Sequence, residues 1–439
     1  MKILPRFFQT IPSLWQRNML MASLRQDDPT LADLVSLEEQ RLESTIDLIA
    51  AESHCPPSIM EAIGSVFTTK TIEGYPGNRF HAGCLHADAV ENLALERAKA
   101  LFGAEAANVQ PHSGSSANLA VYFSVLQPGD RILAMSLPHG GHLSHGHSAS
   151  ITSRCFAFEH YAVDPATERI DYDQIRERAR RFRPKMIVAG ASSYPRLIDY
   201  AAIAGIAGEI DAYCLVDAAH LGGLVAAGVI PSPVPHADFV TFTGYKTMMG
   251  GRGGVILCRK AHETRVNHAV FPGCQGTSAV NLIAAKALAF KLAATEAFRR
   301  IQQATLDNAR TLAGLLQERG YRIVTGGTDN HQVLVDLGKM EISGANAEKA
   351  LESAGIVANR NVVPGDADEP GKVSGLRLGT CAIAYRGMGP AEAGRLAGLM
   401  DQVLRDPDND ATRDRVREKV RALCRQFPVY ARSKSESGS

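Results

Sequence analysis

The chain contains 439 residues, of which 45% are hydrophobic and 21% charged, and its formal net charge is +1. This length exceeds what a single ordinary core organises, so we expect two domains. The balanced charge argues against a nucleic-acid or membrane partner, and no apolar run reaches the ~20 residues that a bilayer-spanning helix needs.

The eight cysteines are scattered along the chain without C-x-x-C pairs. This spacing is typical of reduced thiols and predicts a cytoplasmic protein rather than a disulfide framework. Residues 1–29 are expected to form an N-terminal arm, in which Pro5 and Pro12 interrupt any amphipathic targeting helix.

The order of predicted elements indicates the fold class. Leucines recur at helical spacing from about 30 to 45, and from about residue 104 short apolar runs alternate with helical segments. This alternation is typical of an α/β fold with a mostly parallel sheet and helices on both faces. The predicted strands are 107–110, 131–136, 185–190, 212–217, 238–243 and 254–259.

We assign residues 30–295 to a large domain and residues 296–432 to a smaller α+β domain. A long helical stretch from about 280 to 318 is expected to bridge them. The tail, 433–439, is polar and expected to be disordered. The second domain is predicted to contain strands at 321–327, 331–337 and 374–380 and helices near 391–405 and 411–425.

A carboxylate and an amine follow two of the predicted strands. Asp217 ends the run AYCLVD, and Lys246 follows the run DFVTFT. In an open parallel sheet such strand ends meet at one crevice, where ligands bind. The pair suits pyridoxal phosphate (PLP), because the acid keeps the pyridine nitrogen protonated and the amine joins the cofactor covalently. For these two residues alone, a structural ion pair would be the better explanation, because acids and lysines are common at strand ends.

The segment His112–Ser116, HSGSS, precedes a predicted helix. Its hydroxyls and backbone N–H groups would face an anion at a helix N-terminus, as a phosphate requires. An ordinary serine cap is the alternative. A dinucleotide site is excluded because the chain lacks G-x-G-x-x-G at this point.

Three histidines, His139, His142 and His145, recur in the loop after strand 131–136. Their spacing suggests a metal site, but no H-E-x-x-H motif and no nearby carboxylate completes one. A planar imidazole stacked on a cofactor ring accounts better for one of them, so we expect no metal.

Together these segments resemble the serine hydroxymethyltransferase family from about residue 30 to 430. The resemblance implies a fold-type-I PLP-dependent transferase with a seven-stranded, mostly parallel sheet, acting as a homodimer or tetramer with shared active sites. The motifs that carry it are IDLIAAES, IEGYPGNRFHAGC, ANVQPHSGSSAN, HGGHLSHG, VDAAHLGGLVAAGV, YKTMMGGRGG, FPGCQG, GGTDNH and SGLRLGT.

The resemblance also implies residue roles around the cofactor and the substrate. Lys246 would carry PLP covalently and Asp217 would pair with the pyridine nitrogen, while Arg377 would bind the substrate carboxylate and Glu73 would move a proton at the substrate hydroxyl. The remaining implied residues are Ser113, Gly114 and Ser115 with Gly276 of the partner's 271–276 loop at the phosphate, His142 stacked on the ring, Ser192 and His220 at the ring hydroxyl, and Thr71, His81 and Tyr245 near the substrate. Tetrahydrofolate, if used, would meet Leu137, Gly141, Leu143, Asn361 and Phe80.

Two departures from the family pattern bear on the substrate. Thr71 replaces a tyrosine and Gly244 replaces a threonine, and both changes remove bulk near the expected α-carbon. One extra buried methyl group is worth ~1 kcal/mol where there is room. Our leading hypothesis is therefore the α-methylserine branch, which converts α-methyl-L-serine to D-alanine and a one-carbon unit that is passed to tetrahydrofolate or released as formaldehyde.

Two alternatives stand beside this hypothesis. The first is an ordinary serine hydroxymethyltransferase, converting L-serine and tetrahydrofolate to glycine and methylenetetrahydrofolate. The second is a non-catalytic PLP-fold scaffold. Retention of Glu73, Lys246 and Arg377 together argues against a scaffold, which has no need of all three.

Overall fold

A computed structural model describes residues 22–340, 342–368 and 373–430. Most of the predicted N-terminal arm and the predicted tail lie outside these residues. Within them, no helix combines the length and the apolar character needed to cross a membrane. The helices span residues 22–27, Pro29–Ser44, Pro57–Ile63, Leu85–Phe102, Gly114–Val125, Thr152–Cys155, Tyr172–Phe182, Tyr200–Gly208, Gly222–Ala226, Glu263–His268, Val280–Ala293, Glu296–Glu318, Gly344–Ser353, Cys381–Tyr385, Pro390–Arg405 and Asp410–Gln426.

The strands form one large sheet, one smaller sheet and two short pairs. Their bounds are β1 Ile46–Asp47, β2 Gly74–Tyr75, β3 Asn78–Arg79, β4 Ala106–Asn108, β5 Arg131–Met135, β6 Ala157–Tyr161, β7 Met186–Gly190, β8 Tyr213–Asp217, β9 Phe239–Thr243, β10 Gly254–Cys258, β11 Arg322–Ile323, β12 Gln332–Asp336, β13 Ile356–Val357, β14 Asn359–Asn361 and β15 Gly375–Gly379.

The large sheet has seven strands in the order β4-β10-β9-β8-β7-β5-β6. Strand β10 runs antiparallel to both of its neighbours, and the other pairs are parallel. Along β5, Ile132 and Ala134 pack into one apolar cluster while Leu133 and Met135 pack into another. Both faces of the sheet are therefore covered, as predicted, and the predicted α/β class with a mostly parallel sheet is confirmed.

The smaller sheet, β11-β12-β15-β14, is antiparallel. Strand β1, near the start of the chain, pairs with β13, and Ile46 and Leu48 lie in the apolar core that the C-terminal elements form. The chain thus contributes to this core before it enters the large sheet. The boundaries 30–295 and 296–432 remain a prediction.

The helical stretch predicted from about 280 to 318 has these outer bounds in the structure, but it is divided near residue 295. Two helices occupy this stretch, and the chain between them has extended backbone angles at Thr295. The Thr295 hydroxyl accepts a hydrogen bond from the Phe298 N–H at 3.3 Å. Threonine side chains compete with the helix for backbone groups in this way, so Thr295 begins the second helix as its cap.

Candidate active site

The Asp217 carboxylate is held at the end of β8 by three donors. Asn118 Nδ2 donates to Oδ2 at 2.7 Å, His145 Nε2 lies 2.9 Å from the same oxygen, and the Ala219 N–H donates to Oδ1 at 2.9 Å. Burial alone would raise the pKa of Asp217, but the hydrogen bonds from His145 and Asn118 hold it well below its usual range. Asp217 is therefore a fixed, buried anion.

Residues that the sequence did not assign to the cofactor site complete this arrangement. The Thr241 hydroxyl donates to Asn118 Oδ1 at 2.6 Å and fixes the orientation of that amide. The His142 N–H donates to His145 Nδ1 at 3.2 Å, so Nδ1 acts as an acceptor and the ring donates from Nε2 to Asp217. Asn118 and Thr241 were missed. The sequence feature that could have identified them is a polar residue among apolar neighbours, Asn118 in a predicted helix and Thr241 in a predicted strand.

The position of the Asp217 carboxylate also concerns the metal site that was considered for the histidines of the loop after β5. The ligand atoms of His142, His145 and Asp217 lie within 4.8 Å of one another. The expectation that no carboxylate accompanies these histidines is therefore wrong, because the sheet brings Asp217 to them from later in the chain. The hydrogen bonds already described account for the arrangement as the anchor of Asp217.

Lys246 presents a buried amine close to this anion. Among the described residues its Nζ makes no hydrogen bond or ion pair, although the residue is only 7% exposed. Burial lowers the pKa of Lys246 to about 8, against the opposing effect of Asp217. Its turn is fixed by Thr247, whose hydroxyl donates to the His220 carbonyl at 3.0 Å and accepts from the Gly223 N–H at 2.9 Å. An amine of lowered pKa without an internal partner is suited to covalent chemistry.

The segment Ser113–Ser115 forms the start of helix Gly114–Val125. The Ser113 hydroxyl accepts from the Ser116 N–H at 3.1 Å, and the Ser116 hydroxyl accepts from the Ser113 N–H at 2.9 Å. A Cβ at Gly114 would lie 2.9 Å from Thr243 Cγ2, at the end of β9. Glycine thus lets this helix N-terminus approach the strand that leads to Lys246, and the first turn offers its unpaired N–H groups to an anion.

His142, Ser192 and His220 also lie at this edge of the sheet. Burial lowers the pKa of His142 to about 4, so its ring is neutral, and its Nδ1 lies 2.7 Å from the Ser144 hydroxyl. Burial and the charge of Lys246 hold the pKa of His220 well below its usual range. The His220 ring stacks on His331 with 5.6 Å between ring centroids.

Arg377 reaches the site from β15 of the smaller sheet. Its Nη1 donates to the Ser192 carbonyl at 2.9 Å, and its Nε donates to Asn359 Oδ1 at 3.3 Å. Burial lowers its pKa to about 10, and in the described ranges no carboxylate lies within ion-pair distance of it. A half-buried guanidinium without an acidic partner is suited to binding a carboxylate ligand.

A second group of predicted residues lies around the β2–β3 hairpin. A Cβ at Gly276 would be 3.8 Å from Glu73 Oε1, and the rings of Phe80 and Phe271 meet edge to face at 5.7 Å. Phe80 is 76% exposed. Glu73, Phe80 and the 271–276 loop therefore form one surface. Exposed Thr71 and His81 lie on the segments flanking the hairpin, before and after it.

Four of the five predicted folate residues fall in two segments that the fold brings together, and the fifth, Phe80, lies on the separate surface beside the β2–β3 hairpin. Leu137, Gly141 and Leu143 occupy the loop after β5, and Asn361 ends β14. The turn Leu137–His139 packs beside the turn that follows Asn361. A Cβ at Gly141 would lie 2.2 Å from the Met135 carbonyl, so glycine is needed for the tight turn there.

Two residues flanking Lys246 have neighbours that the sequence did not reveal. The Arg252 guanidinium lies 4.5 Å from the centroid of the Tyr245 ring, a cation–π contact. A Cβ at Gly244 would lie 2.5 Å from the Gly251 carbonyl oxygen. The expectation that Gly244 leaves space beside a substrate is therefore wrong, because the chain itself fills that space.

The site fits PLP on its own geometry. The buried Lys246 amine has no partner among the described residues, the Asp217 anion is held by three hydrogen-bond donors, and a glycine-containing helix N-terminus faces the same strand ends. An aldehyde, a pyridinium nitrogen and a phosphate match these three features in turn. Together with the seven-stranded sheet they define a fold-type-I PLP-dependent enzyme.

The comparisons with known proteins specify the family. Residues 24–400 match the family model described as serine hydroxymethyltransferase. The chain is also 50% identical over 408 residues to a protein of Nitrosomonas eutropha (strain DSM 101675 / C91 / Nm57) named serine hydroxymethyltransferase, covering 93% of this chain and 98% of that relative. The chain belongs to the serine hydroxymethyltransferase family. The predicted family, fold class and enzyme class are confirmed.

As a member of this family the chain is a PLP-dependent hydroxymethyltransferase. The family uses PLP bound covalently to a lysine and tetrahydrofolate as cosubstrate, and its members act on small molecules and are typically oligomeric. The assignment of individual residues to these roles remains a prediction.

Proposed function

We propose that this enzyme transfers the hydroxymethyl group of L-serine reversibly to tetrahydrofolate, giving glycine and methylenetetrahydrofolate. The observation that carries the proposal is the 50% identity to a serine hydroxymethyltransferase across nearly the whole of both chains. It replaces α-methyl-L-serine as the leading substrate. Of the two departures that favoured an α-substituent, the one at Gly244 leaves no free space.

The residues of this chain would have the following roles in the reaction. Lys246 holds the cofactor and exchanges a proton with the substrate amine, and Arg377 fixes the substrate carboxylate. Glu73 accepts the proton of the substrate hydroxyl as the Cα–Cβ bond breaks. When bound, PLP withdraws electrons from the α-carbon, and the Asp217 anion supports this by keeping the pyridine nitrogen protonated. The Cβ carbon leaves with the hydroxyl oxygen at the oxidation level of formaldehyde, and a proton returned to the α-carbon gives glycine. Condensation of this one-carbon unit with the nitrogens of tetrahydrofolate, held at the loop 137–143, releases the oxygen as water.

α-Methyl-L-serine remains the second candidate because of Thr71 alone. Thr71 is exposed and lines a surface depression of about 430 Å³ together with His112 and Thr277. A tyrosine would fill part of this volume, which favours a substrate with additional bulk.

Substrate preference tests both candidates. We expect the wild-type enzyme to give at least roughly tenfold higher kcat/KM with L-serine than with α-methyl-L-serine, each assayed with and without tetrahydrofolate. Thr71→Tyr should widen this ratio roughly 5- to 150-fold, because overpacking costs ~1–3 kcal/mol. Thr69→Tyr, in the same depression, is the control and should leave the ratio unchanged. A wild-type preference for α-methyl-L-serine would instead establish the second candidate.

We further propose a homodimer in which the surface formed by Glu73, Phe80 and the 271–276 loop completes the partner's site. The large exposed apolar side chains Val66, Phe80 and Leu85 on and around this surface support burial against a second copy. A cytoplasmic location is part of the proposal and rests on the eight cysteines, all of which are free thiols.

Subunit mixing tests this arrangement. Lys246→Ala and Glu73→Ala homodimers should each be inactive, whereas mixing them should restore activity, because a hybrid dimer contains one site with both groups intact. At full exchange the expected recovery is about a quarter of the wild-type activity per site, since half of the dimers are hybrids and each has one intact site. Differently tagged subunits, purified in tandem, verify that exchange has occurred. Purified hybrids without activity would mean that each chain builds its own site.

A further inference from the structure

Lys286 is a buried cation for which the site as described has no role. It lies on helix Val280–Ala293, is 2% exposed, and in the described ranges no carboxylate forms an ion pair with it. Its Nζ donates to the carbonyls of Val109 and Gly254, the latter at 3.0 Å, and lies 3.5 Å from the carbonyl of Pro111. The three N–H groups of one ammonium thus face three backbone acceptors.

These carbonyls belong to two segments that meet beside the helix N-terminus described above. Val109 and Pro111 lie between the end of β4 and Ser113, and Gly254 begins β10. The Gly254 N–H also donates to the Pro111 carbonyl at 2.9 Å. A Cβ at Gly254 would lie 2.3 Å from the Ser113 carbonyl oxygen, so the two segments are in close contact. Lys286 joins them at the point where the chain turns into the helix.

The segment 109–111 also connects two other parts of the site. The Gln110 carbonyl accepts from Gln275 Nε2 at 2.9 Å and from the Ser278 hydroxyl at 2.7 Å. Its side-chain amide donates to the Gly74 carbonyl at 3.0 Å and to Glu91 at 2.8 Å. A single short segment therefore contacts the 271–276 loop through Gln275, Ser278 just beyond that loop, the Glu73 hairpin and the helix N-terminus.

The surrounding residues make room for the ammonium. Gly253 has φ +129°, and a Cβ there would lie 2.7 Å from Lys286 Nζ. Burial lowers the pKa of Lys286 to about 7, while the charge of Glu91 acts in the opposite direction. Hydrogen bonds to three carbonyls also favour the charged form.

We propose that Lys286 is a positioning residue for the cofactor phosphate. Its ammonium fixes the segment 109–111 against Gly254 and so holds the N–H groups of Gly114 and Ser115 in the orientation that binds the phosphate. It contacts no reacting atom. The inference rests on the proposed placement of the phosphate at Ser113, Gly114 and Ser115.

The test compares the affinity of the full-length apoenzyme for PLP with its affinity for pyridoxal, which lacks the phosphate. Lys286→Met keeps the length and the apolar stem but removes the three donors. We expect it to weaken PLP binding at least tenfold and to change pyridoxal binding less than twofold. The ratio of the affinity for PLP to the affinity for pyridoxal therefore falls. Lys286→Arg, which keeps a cation with several donors, should retain most of the ratio. Lys291→Met, an exposed lysine on the same helix, is the control and should leave the ratio unchanged.

Further variants separate the possible failures. If Lys286→Met does not fold, Lys286→Gln keeps two donors without the charge and should lower the ratio by an intermediate amount. Equal weakening of PLP and pyridoxal binding, or no weakening of either, would overturn the proposal. Ser113→Ala tests the placement of the phosphate. If Ser113→Ala lowers the ratio while the Lys286 variants do not, the placement of the phosphate is supported and the inference about Lys286 fails. If Ser113→Ala also leaves the ratio unchanged, the placement itself is wrong.

Discussion

Replacing Lys246 with alanine should reduce turnover of L-serine by roughly 10³-fold or more. The change removes the amine that joins the cofactor and, with it, a proton-transfer group, and a positioned general acid–base group alone contributes roughly 10²–10⁴-fold. Lys246→Arg should be equally inactive, because a guanidinium does not form the covalent bond to the cofactor. Steady-state kinetics with L-serine and tetrahydrofolate measure the loss.

A chemical measurement accompanies the kinetics. Borohydride reduction of the wild-type holoenzyme should fix the cofactor on the peptide that contains Lys246, and in Lys246→Ala this labelled peptide should disappear. Lys260→Ala, which changes an exposed lysine on the turn after β10, serves as the control and should keep both label and activity. Reduced cofactor mapped to a different lysine in the wild-type enzyme would refute the assignment.

Arg377→Ala should raise KM for L-serine roughly 30- to 4,000-fold. Truncating one partner of a buried charge pair costs ~2–5 kcal/mol, and each 1.4 kcal/mol is about tenfold. Arg377→Lys should recover only part of this loss, since an ammonium lacks the planar fork that binds a carboxylate through two hydrogen bonds. Initial-rate measurements over a wide range of serine concentrations separate KM from kcat.

Arg360→Ala provides the matched control for this experiment. Arg360 lies on strand β14, which neighbours the strand of Arg377, and it pairs there with Leu376. Its side chain is exposed and lies 3.7 Å from Glu348. Because exposed ion pairs contribute little, its removal should leave KM within about twofold of wild type. A normal KM in Arg377→Ala would mean that the substrate carboxylate binds elsewhere.

The sequence predicted the parts of the site that local patterns reveal. Apolar runs ending in Asp217 and leading to Lys246 placed both residues at strand ends, and the segment His112–Ser116 before a helix predicted the phosphate position. The structure has strands and a helix at these places. The resemblance to a known family added Arg377 and Glu73, which no local pattern identifies as functional.

Other features depended on contacts between distant parts of the chain. Asn118 lies 99 residues before Asp217 and His145 lies 72 residues before it, yet both bind the same carboxylate oxygen. In the sequence Lys286 is one more charged residue of a predicted helix, and only the tertiary structure shows that its ammonium contacts three backbone carbonyls. The glycine at position 244 suggested empty space beside the substrate, but the Gly251 carbonyl occupies that space.

The sequence by itself therefore determined the α/β class, the strand ends that carry Asp217 and Lys246, and the helix start at Ser113. It did so because hydrophobic periodicity and capping residues act over a few neighbouring positions. Only the tertiary structure decided which groups hold the Asp217 anion, how Ile46 and Leu48 join the C-terminal core, and where the Lys286 ammonium binds. Periodicity fixes which face of an element is buried, whereas the identity of the atoms that meet there depends on how the layers pack.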